Sequence, residues 1–334
     1  MTQDAYSAAG VSQRDADESV AALVAHLARI DTGKPSRVVP LPGHYASVLR
    51  IDARTGIAFG TDGVGTKMVV AEMLGRFDTI GIDCIAMNVN DLICVGAEPI
   101  ALVDFILCRT ADPEICGQIG VGLRAGAELA GVEIPGGEIA QVGDIVNGWE
   151  LAASAIGLVD LDRIVSGDGI EAGNVLIGLP SSGLHSNGFT LARKALDGIP
   201  LDDERLGRPL GDALLEPTTI YVRAVLDLLG SGADVRGLAH ITGGGLDNLL
   251  RLSDAVGYEI TAPPAVPEIF TMIQSEGAIS DDEMHEVFNM GLGFVCIVAA
   301  GDAEEAVALL SRHHPGVRPI GHVSDRPAKL TRGS

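Results

Sequence analysis

Apolar residues in the N-terminal half of the chain follow first a helical and then a strand spacing. A stripe with a 3.6-residue period predicts a helix over residues 15–28, and it is formed by Val20, Leu23, Val24 and Leu27. Two short apolar runs at residues 48–51 and 57–59 flank a polar turn and predict a β-hairpin. The same reasoning predicts strands over residues 99–107 and 151–159, and helices over residues 67–74, 79–95 and 112–130.

The C-terminal half alternates strands and helices in the same way. Strands are predicted over residues 174–179, 238–241, 294–299 and 318–323, and helices over residues 188–196, 216–229, 245–252, 263–276, 281–287 and 302–313. This alternation implies an α/β (α+β) protein with two domains whose helices cover sheets. The polar, glycine-containing stretch at residues 162–173 marks the boundary, so we expect domains at residues 1–165 and 170–334.

Composition narrows the class of protein. A chain of 334 residues is long enough for two domains with sizeable cores. The net charge of −22 argues against a non-specific nucleic-acid or anionic-membrane surface. No apolar run has the length of a membrane span and no signal pattern begins the chain, so we expect a cytoplasmic protein. The five cysteines include no C-x-x-C pair, which favours free thiols and makes a zinc site improbable.

The segment Gly60-Thr61-Asp62-Gly63-Val64-Gly65-Thr66-Lys67 follows a predicted strand and contains three glycines. Glycine lets a backbone turn tightly and approach a ligand. A carboxylate and a lysine beside such a turn suit a phosphate that is bridged by a divalent cation. A P-loop is excluded in its usual form, because Thr66 stands between Gly65 and Lys67. The alternative is a glycine-rich hairpin turn with a solvated acid and base.

Four places share one design, a strand end followed by a glycine-rich turn, and they centre on Asp62, Glu138, His185 and Gly243. Amide groups at such turns and at helix N-termini bind anions. The pattern predicts a large phosphate-bearing ligand together with a metal ion. The candidate Mg²⁺ ligands are Asp62, Asp91 and Glu138, since Mg²⁺ prefers hard oxygen donors. The alternative for Asp91 is a helix-end cap or a solvated acid.

Two histidines lie beside glycine-rich turns, and each has a structural alternative. His185 could be a loop histidine bonded to the backbone, and His240 a core histidine at a strand end. The run Thr242-Gly243-Gly244-Gly245 favours close approach of a phosphate, because three glycines cost backbone entropy. The remaining histidines have no supporting context and are interpreted as structural or surface residues: His26, His44, His285, His313, His314 and His322.

Together these motifs resemble those of the phosphoribosylformylglycinamidine cyclo-ligase family, also called aminoimidazole ribonucleotide synthetase. The matching segments keep the family's order over nearly the whole chain, at residues 6–11, 60–67, 78–83, 86–87, 90–92, 96–99, 136–138, 181–183, 185–188, 217–218, 220–222, 240–245 and 287–291. One such segment is a weak signal, whereas the ordered set is specific.

The resemblance implies a two-domain fold in which the N-terminal sheets of two chains form a β-barrel across a homodimer, followed by a layered α/β domain. It implies ATP-dependent cyclisation of formylglycinamidine ribonucleotide to 5-aminoimidazole ribonucleotide in de novo purine biosynthesis. The family phosphorylates the amide oxygen, and an amidine-side nitrogen then displaces phosphate within the same molecule. The enzyme's task is to hold that nitrogen in place and to offset phosphoryl charge.

By position, the resemblance implies roles for individual residues. The metal shell would be Asp62, Asp91 and Glu138. The catalytic residues would be Lys67, His185 and His240. ATP would be bound by Asp62, Gly63, Gly65, Thr66, Lys67, Asn88 and Asp91. The substrate groove would include Ser186 and Asn187, and a phosphate would be bound by Thr242, Gly243, Gly244 and Gly245.

Two segments depart from the family's pattern. The usual Gly-Gly-Glu-Thr-Ala-Glu-Met-Pro-Gly is replaced by residues 137–143, Gly-Glu-Ile-Ala-Gln-Val-Gly, which lack a hydroxyl and a carboxylate of that loop. The usual glycine-rich N-terminal lid is replaced by residues 34–44. The alternatives left open are a related ATP-dependent enzyme, such as a thiamine-monophosphate kinase, and a non-catalytic nucleotide-binding dimer.

Overall fold

The computed structural model describes residues 13–332, so the motif at residues 6–11 lies outside the described residues. The strands are β1 (Val38–Val39), β2 (Ser47–Arg50), β3 (Thr55–Gly63), β4 (Glu98–Cys108), β5 (Glu133–Gln141), β6 (Trp149–Asp160), β7 (Val175–Pro180), β8 (Val235–His240), β9 (Gly257–Ile260), β10 (Leu292–Val298), β11 (Arg318–Ser324) and β12 (Lys329–Arg332). The helices are α1 (Gln13–Leu27), α2 (Lys67–Leu74), α3 (Ile80–Cys94), α4 (Pro113–Ala130), α5 (Phe189–Ala195), α6 (Leu210–Leu214), α7 (Val222–Gly230), α8 (Glu268–Gly277), α9 (Asp281–Val287) and α10 (Ala303–Leu310).

The first sheet has the strand order β1-β2-β3-β6-β4-β5 and is antiparallel except for the pair β4–β5. Helix α3 packs on one face of this sheet. The opposite face carries exposed apolar side chains, namely Phe59, Val103, Phe105, Ile156 and Leu158. These strands alternate small buried residues with larger exposed ones, as expected for a sheet with two differently covered faces.

The second sheet has the order β12-β9-β11-β7-β10-β8 and is antiparallel except for the pair β12–β9. Every residue of β10 is buried, because this continuous apolar run lies between β7 and β8 and is covered on both faces. The first sheet ends at Asp160 and the second begins at Val175. Among residues 13–332, no helix has the length and apolar content needed to cross a bilayer.

Helix α3 joins the two halves of the molecule. It contacts β3 and β6 of the first sheet and also β8 and α7 of the C-terminal half. All of its residues except Ile82 and Asp91 are buried. Its close packing on α4 depends on Gly81, where a Cβ atom would lie 2.1 Å from the Leu123 nitrogen. The position of α3 is therefore fixed from both sides.

Several predicted boundaries are wrong, for identifiable reasons. Residues 60–63 belong to β3 because they pair with residues 152–155 of β6, so the glycine-rich turn is shorter than its sequence indicates. Residues 134–138, predicted as a turn that contains two adjacent glycines, lie within β5, which pairs with β4. Helix α7 begins at Val222 instead of residue 216, and the segment Gly245–Arg251 is a 3₁₀ helix. Tertiary pairing overrides local propensity at these places.

Candidate active site

Asp62 is held at the end of β3 by a buried asparagine of α3. The Asp62 N–H donates to Asn88 Oδ1 at 3.1 Å, and Asn88 Nδ2 donates to the Asp62 carbonyl at 3.1 Å. Asn88 Nδ2 also donates to the Cys84 carbonyl at 2.9 Å. Because main-chain groups occupy both ends of this amide, the structure gives Asn88 a positioning role in place of the predicted contact with ATP.

Asp91 meets the C-terminal half through a buried histidine. His240 ends β8, and its Nδ1 lies 2.9 Å from Asp91 Oδ1. The His240 side chain is fully buried, whereas the Asp91 side chain keeps 25% of its surface exposed. On the other side of the ring, Asn90 Nδ2 lies 3.5 Å from His240 Nε2. The structure thus brings together two predicted site residues that lie 149 positions apart.

The charge of Asp91 influences the carboxyl group of Asp62. Burial raises the pKa of Asp62, the Gly63 N–H at 2.7 Å lowers it, the charge of Asp91 raises it and His240 lowers it. A cation between the two carboxylates would remove this repulsion, and Mg²⁺ typically takes one or two carboxylates plus phosphate oxygens. In residues 13–332, no group of three or more Asp, Glu, His or Cys side chains could hold one metal ion.

Glu138 lies away from this pair. A Cβ atom on Gly137 would lie 2.2 Å from Asp104 Oδ1, so Gly137 points to the face of the sheet that carries Asp104. Since side chains alternate along a strand, Glu138 points to the other face, where it is exposed. Asp104 shares its face with Asp62, because both lie opposite Ala153. The predicted set of three metal ligands is therefore not assembled within one chain.

Lys67 is turned into the protein interior, and its predicted contact with phosphate and its catalytic role stay predictions. Its side chain is completely buried, and Nζ donates to Asp83 Oδ1 at 2.8 Å and to the Glu216 carbonyl at 2.7 Å. Burial lowers the pKa of Lys67, and the Asp83 carboxylate raises it. The lysine neutralises a buried acid, and a buried charge needs such a partner.

His185 is also turned inward. Its Nε2 accepts the N–H groups of Ser182 at 3.3 Å and Thr219 at 3.5 Å. Burial has the largest effect on the pKa of His185 and lowers it, and the neighbouring His240 and Lys67 lower it further. The imidazole is therefore neutral, and its Nε2 holds two loop segments, in agreement with the structural alternative. Its Nδ1 is buried without a hydrogen-bond partner among the described residues, and the catalytic role of His185 stays a prediction.

The turn at Thr242–Gly245 owes its glycines mainly to packing. Gly244 and Gly245 have φ values of +96° and +53°, and a Cβ on Gly245 would lie 2.0 Å from the His285 carbonyl oxygen. Asn248 Oδ1 accepts the Thr242 N–H at 2.8 Å. A positive φ explains Gly244, a positive φ and close packing explain Gly245, and Gly243 is the one that is exposed.

The loop at Ser186 and Asn187 adjoins this turn. Asn187 Oδ1 lies 3.4 Å from the position of a Cβ on Gly243. Ser186 Oγ is buried without a hydrogen-bond partner among the described residues. A buried hydroxyl without a partner is costly, so Ser186 Oγ retains an unused hydrogen-bonding capacity. These predicted substrate contacts are brought together by the fold.

Gly65 is a predicted ATP contact, but its N–H group already donates to a protein side chain. That side chain is Glu150, which the sequence motifs do not single out. The Gly65 N–H donates to Glu150 Oε1 at 3.0 Å, and a Cβ on Gly63 would lie 2.9 Å from the same oxygen. Burial raises the pKa of Glu150, the Gly65 N–H lowers it and Asp62 raises it. Thr66 is exposed, and its Oγ1 lies 3.1 Å from Thr190 Oγ1.

Three acids of the site region were missed: Asp83, Asp104 and Glu150. Burial raises the pKa of Asp104, which lies on a strand of mostly apolar residues. Asp83 lies in a helix whose remaining residues are apolar or neutral except Asp91. An acid within an apolar run requires a partner or a ligand, so this pattern could have identified both residues.

Comparisons with known proteins cover both halves of the chain. The family model "AIR synthase related protein, N-terminal domain" matches residues 43–159, and the corresponding C-terminal model matches residues 171–331. Phosphoribosylformylglycinamidine cyclo-ligase of Methanothermobacter thermautotrophicus is 47% identical over 97% of this chain and 96% of its own length. The enzyme of the same name from Thermococcus gammatolerans is 47% identical over 96% of each chain.

A solved structure shares the fold at lower identity. Hydrogenase maturation protein HypE, in complex with ATP, is 21% identical with a TM-score of 0.62, covering 83% of this chain and 79% of that chain. The resemblance drawn from the ordered motifs and the expected two-domain fold are thereby confirmed. The chain therefore belongs to the phosphoribosylformylglycinamidine cyclo-ligase family of AIR synthase related proteins.

Proposed function

We propose that this chain catalyses the ATP-dependent cyclisation of formylglycinamidine ribonucleotide to 5-aminoimidazole ribonucleotide, with release of ADP and phosphate, in purine biosynthesis. The observation that carries the proposal is 47% identity to a cyclo-ligase over 97% of the chain. The pairing of Asp62 and Asp91 near His240 supports it, because it supplies a carboxylate site between the two halves of the molecule.

The reaction needs phosphoryl transfer followed by ring closure. The γ-phosphoryl group of ATP moves to the amide oxygen of the substrate, which leaves ADP. The amidine nitrogen then forms a bond to the amide carbon, the carbon–oxygen bond breaks, phosphate leaves with that oxygen, and the nitrogen loses a proton. Holding the nitrogen against the activated carbon converts this closure into a favourable intramolecular step.

Asp62 and Asp91 would hold Mg²⁺, which would offset the charge of the ATP phosphates when bound. Asn88 fixes the backbone of Asp62, and His240 orients the Asp91 carboxylate. Thr66, at the exposed end of the glycine-rich turn, is the remaining predicted nucleotide contact with a free approach. Lys67 and His185 have no place in this proposal, because both are buried and bonded to protein groups.

The substrate groove is proposed beside this site. Ser186 Oγ would gain the hydrogen bond that it lacks, and Asn187 and Gly243 lie next to each other at the same groove. The Thr242 N–H is held by Asn248, so Gly243 is the part of that turn left for a phosphate. These contacts would orient the ribosyl phosphate end of the substrate.

A homodimer is part of the proposal. The exposed apolar face of the first sheet includes Val103, Phe105 and Ile156, and monomeric proteins rarely leave such a face uncovered. Phe105→Glu should yield a monomer in light scattering, whereas Val121→Glu, at an exposed apolar residue of α4, should leave the assembly unchanged. A Phe105→Glu protein of unaltered mass would contradict the dimer. Buried cysteines without disulfides among the described residues agree with a cytoplasmic enzyme.

The direct test is to measure ADP and aminoimidazole ribonucleotide together after adding MgATP and formylglycinamidine ribonucleotide. One ADP per imidazole is expected. ADP formation without imidazole, or with thiamine phosphate as the accepted substrate, would contradict the proposal and favour a related kinase. ATP binding without substrate-dependent ADP would point to a non-catalytic dimer.

A further inference from the structure

A cavity of about 480 Å³ lies between α2, α5, α6 and the connecting residues 196–201. Its walls include apolar side chains such as Val70 and Leu214. Met73, which also lines it, leaves 63% of its surface exposed. None of the site residues Asp62, Asp91, His185 or His240 lines this cavity, so it is separate from the carboxylate pair. Its volume falls in the usual range for small-molecule pockets.

The polar side chains that line the cavity indicate the chemical class of its ligand. Arg193 is half-buried and forms no hydrogen bond or ion pair with any residue of the described part of the chain. Lys194 and the hydroxyl-bearing Thr190 line the same cavity, and Asp197 stands at its edge. The chain is acidic overall, with 23 lysines and arginines against 45 acids. Two adjacent basic residues at one cavity, Arg193 and Lys194, therefore differ from the charge of the chain as a whole.

This arrangement matches a phosphate monoester that carries a sugar and an apolar ring. The planar guanidinium of Arg193 can pair with two phosphate oxygens. The Asp197 carboxylate can accept hydrogen bonds from sugar hydroxyls. The apolar walls and the flexible Met73 can cover a flat ring.

The cavity is connected to the active site by one hydrogen bond. Thr190 lines the cavity, and its Oγ1 lies 3.1 Å from Thr66 Oγ1 at the glycine-rich turn. The helices that form the walls begin directly after site loops, α2 at Lys67 and α5 at Phe189. A molecule that packs against both helices can therefore change the position of Thr66.

We propose that this cavity binds a nucleoside monophosphate or a similar phosphorylated riboside, and that its occupancy alters ATP affinity through the contact between Thr190 and Thr66. The proposal goes beyond the proposed reaction, because the binding itself requires no turnover.

The first experiment is calorimetric titration of the full chain with AMP, with the nucleotide site already saturated by Mg²⁺ and the ATP analogue AMPPCP. One AMP per chain should bind. Arg193→Gln should weaken binding at least tenfold, and Arg312→Gln, the same change at an exposed arginine in the turn after α10, should not. Adenosine and inorganic phosphate alone should each bind more weakly than AMP. No AMP binding, or equal binding to the Arg193→Gln protein, would overturn the site.

The second experiment tests the connection. AMP should change the KM for ATP at least threefold in the unaltered protein and leave it unchanged in Arg193→Gln, whose kcat without AMP should stay normal. Thr190→Val, which keeps the side-chain volume, should bind AMP within threefold of normal but lose the effect on KM. If AMP still shifts KM in Thr190→Val, the connection through Thr66 is wrong. If the Arg193→Gln protein instead loses affinity for the amidine substrate, the cavity is part of the substrate groove and the proposal fails.

Discussion

Helix α3 carries two acids eight positions apart, Asp83 and Asp91, and their surroundings differ in how fully each charge is compensated. Asp83 Oδ1 accepts the Thr218 N–H at 2.8 Å and the Thr218 hydroxyl at 2.6 Å, and its carboxylate pairs with Lys67 at 2.8 Å. Neither side chain of the ion pair is exposed. This closed cluster is inaccessible to solvent, its acid and base carry opposite charges, and it joins the two halves of the chain.

The cluster around Asp91 is open. Asp91 bonds to one histidine, and the neighbouring Asp62 carboxyl has a raised pKa because it is buried and lies close to a like charge. The buried Asp62 carboxyl has no basic side chain bonded to it among the described residues, so a cation would stabilise its ionised form. On this account, residual charge, more than residue type, distinguishes the proposed cation site from the structural cluster on the same helix.

The largest expected effect is on the closed cluster. Asp83→Asn leaves the Lys67 ammonium buried without a counter-charge and should lower the free energy of unfolding by about 3–5 kcal/mol. Urea unfolding measures the change. The double substitution Lys67→Met with Asp83→Leu should recover most of the loss, because a buried pair can be replaced by apolar groups of similar size. A double variant as unstable as the single one would contradict this account.

At the open cluster, Asp62→Asn should lower kcat by about 10²–10³ through loss of charge stabilisation at the phosphoryl group. The melting temperature should stay the same or rise, since a carboxylate with a raised pKa opposes folding when it is ionised. Thermal unfolding and turnover are measured on the same preparation. Normal turnover in this variant would remove Asp62 from the site.

A smaller effect is expected where the backbone of Asp62 is held. Asn88→Ala should lower kcat/KM for MgATP by about 10–100-fold, as for groups that orient a metal ligand. Asn174→Ala removes another buried asparagine, whose Oδ1 accepts the Glu171 N–H at 2.9 Å far along the chain, and should leave kcat/KM unchanged. Equal losses in the two variants would indicate general destabilisation instead of positioning.

The smallest expected effect is on the pH dependence of folding stability. It comes from His44, which lies at the border of the open cluster. Burial, followed by Arg251, lowers the pKa of His44 to about 4, although Asp91 opposes this. The unfolded histidine titrates near 6.5, so stability is complete above that pH and is lost as the pH falls towards 4. The loss should be roughly 1–2 kcal/mol after allowance for partial exposure. His44→Gln should flatten this part of the stability curve, and His322→Gln, at an exposed histidine, should not.

The sequence motifs single out both acids of the open cluster. They do not reveal the closed cluster, in which Lys67 pairs with Asp83. Asp62 and Asp91 follow from motifs and chemistry, but the partner of Lys67 lies sixteen positions away on a helix, and only tertiary packing brings them together. The same limit applies to Glu150, which reaches Gly65 across 85 positions. Local patterns reveal charge, and they do not reveal which charges the fold itself neutralises.

Elements with strong periodicity, such as α1 and α4, agree with their predictions within a few residues. The segment at β5 does not, because two glycines reduce its strand propensity while pairing with β4 overrides that preference. Gly137 is required there for a reason invisible in the sequence, since the Asp104 carboxyl occupies the space of a side chain.

The central claim is that the open cluster, and not the closed one, binds the cation that accompanies ATP. We would titrate Mn²⁺, as a spectroscopic substitute for Mg²⁺, into the protein with AMPPCP and follow bound metal by electron paramagnetic resonance. Asp62→Asn should lose most of the binding, and the folded Lys67→Met/Asp83→Leu protein should keep it. Retained binding in Asp62→Asn, or its loss in the double variant alone, would contradict the account.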